Sequence, residues 1–79
     1  MGNRFIHETA SIKNTQHGDI KVFRNASITD SYLENGCSVG DDTTVERCTF
    51  ENNVVINRRS YINDSFILYV FFNRNMEKL

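Results

Sequence analysis

Ile28-Thr29-Asp30-Ser31-Tyr32-Leu33 and Ile62-Asn63-Asp64-Ser65-Phe66-Ile67 repeat one pattern within a short chain. Val45-Glu46-Arg47-Cys48-Thr49-Phe50 lies midway between them and keeps their two large apolar positions. Working outward, large aliphatic or aromatic residues fall at 28, 33, 39, 45, 50, 56, 62 and 67, with gaps of 5, 6, 6, 5, 6, 6 and 5. The pattern therefore returns every 17 residues. An earlier copy begins at Ile12 and reaches Val22 and Ile28, with one residue fewer in its coil.

A second column accompanies the first. Two residues before each large position stand Ala26, Ser31, Cys37, Thr43, Cys48, Val54, Ser60 and Ser65, all small. Residues i and i−2 of a strand face the same side, so each unit sends one large and one small side chain inward. The following residue is often Gly, Asn or acidic (Glu34, Gly40, Glu46, Glu51, Asn57, Asn63), which suits a turn. Three short strands and three turns make one coil, and coils stack at the inter-strand spacing of roughly 4.8 Å. Gaps of five and six cannot hold one face of a helix. The expectation is an all-β chain, a parallel β-helix of three to four coils over residues 6–67. A small β-sandwich with accidental spacing is the alternative.

The chain has 79 residues, room for a single domain over 1–79. Nine Lys and Arg against ten Asp and Glu give a net charge of -1, which argues against a nucleic-acid partner and against an acidic disordered tail. Ten Asn, four Gly and no Pro make Asn the main turn residue. The start of the chain has no signal-peptide pattern, and the longest apolar run, Phe66 to Phe72, is too short to span a bilayer. The sequons Asn25-Ala26-Ser27 and Asn63-Asp64-Ser65 read as coincidence. Cys37 and Cys48 are too few for a disulfide framework or a closed zinc site. These features together lead to the expectation of a cytoplasmic protein with no membrane partner.

The two columns resemble the hexapeptide-repeat proteins, which form left-handed parallel β-helices. Ile6-His7-Glu8-Thr9-Ala10-Ser11-Ile12 is similar to the opening of the first coil in many bacterial acyltransferases of that group. The resemblance covers residues 6–67 and implies the left hand, since general chirality rules favour right-handed crossovers. It also implies a trimeric, CoA-dependent acetyltransferase as the complete relative, acting on a sugar or small molecule. In such enzymes a histidine at the subunit interface serves as general base, because an alcohol attacks poorly until its proton is removed. Acetyl-CoA would then be a substrate, with no tightly bound cofactor.

His7 occupies the opening motif, where the family's histidine is structural. His17 falls in the inward slot of Leu33 and Phe50. No catalytic residue is therefore assigned, and no metal site. Asp41 and Asp42 are expected in a turn, with ordinary pairing to Arg58 and Arg59 one coil on; those arginines could otherwise attract a phosphate. Cys37 and Cys48 read as packed thiols. Gly36 and Gly40 precede no helix pattern and form no phosphate loop.

The repeat stops after Ile67, where position 73 is Asn. Residues 68–79 are expected to be an irregular aromatic cap or an assembly strand. Val55, Tyr61, Phe66 and Phe72 stand where earlier coils have Ser38, Thr44 and Thr49, and are expected to form an apolar flank joining a homo-oligomer. A monomer whose tail covers its own end is the competing expectation. Two functions stay open: a small CoA-dependent acetyltransferase, or a non-catalytic oligomerising module lacking the catalytic part.

Overall fold

Inward β-branched and aromatic residues separated by turn formers commit each unit to a short strand. The computed structural model describes residues 4–68, and these form twelve strands and no helix. β1 (Phe5–Ile6), β2 (Ser11–Lys13) and β3 (Gln16–His17) make the first coil. β4 (Lys21–Val22), β5 (Ser27–Thr29) and β6 (Tyr32–Leu33) make the second. β7 (Ser38–Val39), β8 (Thr44–Glu46) and β9 (Thr49–Phe50) follow as the third. β10 (Val55–Ile56), β11 (Tyr61–Asn63) and β12 (Phe66–Ile67) complete the fourth.

The strands stack into three parallel sheets, β1-β4-β7-β10, β2-β5-β8-β11 and β3-β6-β9-β12. The molecule is a parallel β-solenoid of about four coils, as the period predicts. Pairings such as Ser27↔Thr44 and Thr44↔Tyr61 step by 17 residues, whereas Ser11↔Ser27 steps by 16. The missing residue lies in the turn before β4, where Gly18-Asp19-Ile20 matches the longer Glu34-Asn35-Gly36-Cys37. Ile20 fills the resulting slot completely, a large residue where later coils have Cys37 and Val54.

The core is the two columns. Val22, Val39 and Ile56 line one wall, Ile28 and Val45 the second, Leu33 and Phe50 the third, and all are buried. Ala26, Cys37, Thr43, Cys48 and Val54 fill the space between them. Ile12, Ile62 and Ile67, at the two ends of the stack, are only partly buried. An inner coil is covered from both sides and an end coil from one.

Turn backbones enter the left-handed region at Asn14, Asp30, Arg47 and Asp64, at Asn25, Asp42 and Arg59, and at Gly36 and Asn53. That conformation aims the amide at the coil before. Asp30 donates to the Lys13 carbonyl, Arg47 to Thr29, Asp64 to Glu46, and Arg59 to Asp41, over 2.8–3.1 Å. Asn and Asp tolerate this geometry best among residues with a Cβ. Arg47 and Arg59 depart from the expected turn chemistry, held there by the same inter-coil bond. Among the described residues no helix is long and apolar enough to cross a membrane.

Candidate functional site

His7 is not set up for proton abstraction. The Thr9 amide donates to His7 Nδ1 at 3.1 Å, and the Thr9 hydroxyl lies 2.9 Å from the same nitrogen. With Nδ1 accepting, the neutral ring carries its proton on Nε2, so no lone pair is left for a substrate. Thr9 Oγ1 in turn accepts from the Asn25 amide at 2.8 Å, so His7 braces the first turn against the second coil. His17 pairs with Leu33 in the inward column and is half-buried, where the sequence places it. Its Nδ1 donates to the Gly18 carbonyl at 2.9 Å. Among the described residues no carboxylate or hydroxyl bonds to the His17 ring to form a catalytic pair.

The cysteines are packed, as expected. Burial pushes both thiols up from their ordinary value, which disfavours the nucleophilic thiolate. Cys37 Sγ donates to the Glu51 carbonyl at 3.1 Å, and Cys48 Sγ donates to Glu46 at 3.1 Å. Cys48 belongs to a column with a second purpose. Thr15, Ser31, Cys48 and Ser65 each donate to the carbonyl two residues back, at Lys13, Thr29, Glu46 and Asn63. The column also bonds along the stack, since the Ser31 amide donates to Thr15 Oγ1 and the Cys48 amide to Ser31 Oγ. Size alone did not disclose this role. The signal was available, because six of the eight small residues carry a hydroxyl or thiol.

The acidic turn pairs in the opposite direction from the one expected. Asp41 Oδ1 accepts from the Arg24 amide at 3.0 Å, and Arg24 Nη2 lies 3.9 Å from Asp41 Oδ2. Asp42 accepts from Asn25 Nδ2 at 3.2 Å. The acids are thus occupied by the coil before them, and Arg58 and Arg59 form no ion pair among the described residues. The one close ion pair among the described residues is elsewhere, where Arg47 grips both oxygens of Asp64 at 2.6 and 3.0 Å. Its guanidinium holds the Asp64 carboxyl below the usual aspartate value.

Neither glycine cradles a ligand. A Cβ at Gly40 would meet the Arg58 amide nitrogen at 2.6 Å, so Gly40 lets two coils approach. Gly36 takes φ +85°, with the Asn53 carboxamide folded over it. Among the described residues no three His, Cys, Asp or Glu gather to hold a metal ion.

The feature that remains is the terminal coil. Val55, Tyr61 and Phe66 are 48%, 62% and 63% exposed, and they pair in register with Ser38, Thr44 and Thr49 as the sequence alignment has them. They do not share one flank. Val55 belongs to the first sheet, Tyr61 to the second and Phe66 to the third, so they ring the last coil. Three consecutive inter-strand units turn through three corners, which distributes their outward positions over three faces. Phe72, and the tail from 69 onward, lie outside the described residues. Beyond β10, β11 and β12 no further strand pairs among the described residues. Compared with protein-family models, with curated proteins and with solved structures, the chain matches none.

Proposed function

We propose that this chain is an oligomerising β-solenoid module, related to the hexapeptide-repeat acyltransferases but without their catalytic part. The terminal coil carries the reading. Three exposed apolar side chains ring it, Ile62 and Ile67 are half-covered, and its strand edges have no neighbour among the described residues. Open edges of this kind invite pairing, and apolar surface around them favours burial by a partner. Among the described residues no carboxylate or hydroxyl bonds to His17, the histidine whose Nε2 keeps its lone pair, and this favours a scaffold over a catalyst. A trimer is the state the resemblance favours, and buried thiols suit a reducing, cytoplasmic setting.

Light scattering on the 79-residue chain tests the reading. The mass should be a multiple of the monomer and should fall in a Val55→Ser, Phe66→Ser double variant. A monomer at high concentration overturns it.

One observation favours a second reading, a CoA-dependent transferase. Arg58 borders a shallow groove lined also by Phe23, Ser38, Asp41 and Val55, and a guanidinium without an ion pair among the described residues, beside apolar surface, suits a phosphate-bearing ligand. Acetyl-CoA at millimolar concentration should then raise the thermal transition. An unchanged transition removes this alternative.

A further inference from the structure

Each edge of the solenoid has its own chemistry, set by the bonds that join coils within the molecule. Outward-slot amides reach forward to carbonyls of the next coil: Ser38 to Val54, Thr44 to Ser60 and Thr49 to Ser65, at 2.9 Å each. Val55, Tyr61 and Phe66 hold the corresponding slots in the last coil. On the opposite edge, the first coil offers Arg4, Ala10 and Thr15 carbonyls, equivalent by register to Ile20, Ala26 and Ser31 of the second coil. Those second-coil carbonyls accept from Phe5, Ser11 and Gln16.

The side-chain columns continue across the same junction. At the corner between the first and second sheets, Glu8, Arg24, Asp41 and Arg58 occupy successive levels and alternate in sign. The next member in that order is an acid, which Glu8 supplies. At the following corner Asn14 Nδ2 donates to Asp30 at 2.5 Å. Asp64 ends that column, and Asn14 would meet a carboxylate there again. Inside, Ile6 and Ile12 would extend the walls above Ile56 and Ile62.

We infer that the terminal coil docks the first coil of a second copy, head to tail, in the register that already joins coils inside the molecule. The inference rests on the oligomerising-module reading and names its partner. The contact is heterologous, one edge against the other, and its register stacks copies along the coil axis, so successive copies add without closing a ring. Glu8 and Arg58 form its charged contact at one corner, and Val55 meets Phe5 across the first sheet.

A charge swap on the full chain tests this by sedimentation velocity across a hundredfold range of concentration. The unaltered chain should show a weight-average mass that climbs continuously with concentration. Glu8→Arg and Arg58→Glu are each at exposed turn positions, and each should shift assembly to at least tenfold higher concentration. The double variant should restore it, because the pair is re-formed across the junction. A fixed trimer indifferent to the swap overturns the head-to-tail contact and leaves the module reading standing. A monomer throughout, with the chain's own tail covering the edge, overturns both.

Discussion

Among the described residues eight with side chains hold positive φ, and six are Asn or Asp. Arg59 is an exception without an ion pair among the described residues, so its left-handed backbone is uncompensated by its side chain. Arg59→Asn should raise stability by about 0.5–1 kcal/mol, read from the urea midpoint. Arg47 differs because its guanidinium holds Asp64. The folded Asp64 carboxyl ionises below its ordinary value of 3.8. Its contribution is therefore complete above 3.8 and is lost as the pH falls from there through the lower folded value. Asp64→Asn should flatten the decline of the melting temperature in that acid window and leave the neutral range little changed in slope.

Within the elements, the hydroxyl and thiol column ties each turn to its neighbours. Ser31 gives one bond to the Thr29 carbonyl and takes one from the buried Cys48 amide. Ser31→Ala leaves that amide unpaired and should cost about 1–3 kcal/mol in chemical denaturation. Cys48→Ser keeps the donor geometry and should be much milder, and Cys48→Val should also cost less than Ser31→Ala, because the Glu46 carbonyl it leaves still accepts from the Asp64 amide. This column was half legible in the sequence. Smallness follows from the space left between large inward residues, and the period exposed it. The bonding role depends on where the carbonyl two residues back points, and that follows from the turn conformation.

At the scale of the molecule, burial is deepest in the second and third coils, because among the described residues each end coil has a neighbouring coil on one side only. Phe50 is the largest fully buried side chain among the described residues. Phe50→Ala should cost about 3–5 kcal/mol, comparable with the whole stability of a small domain, and should abolish a cooperative thermal transition. Ile12→Ala, at the first end of the stack, should lose clearly less, since its side chain is already partly exposed. Equal losses at the two positions would contradict a core graded from middle to ends.

The period by itself determined the all-β class, the coil of 17 residues, the one-residue deficit in the first coil and the members of both inward columns. Inward and outward positions follow from strand alternation alone, so a linear pattern suffices for them. Tertiary structure decided how residues one coil apart choose partners. Asp41 pairs backward to Arg24 because the turn aims its carboxylate at the preceding coil, and charge alone cannot tell forward from backward. It also decided that Val55, Tyr61 and Phe66 ring the last coil, since each corner rotates the outward direction onto a new face. A column is a property of the sequence period; a face is a property of the corners.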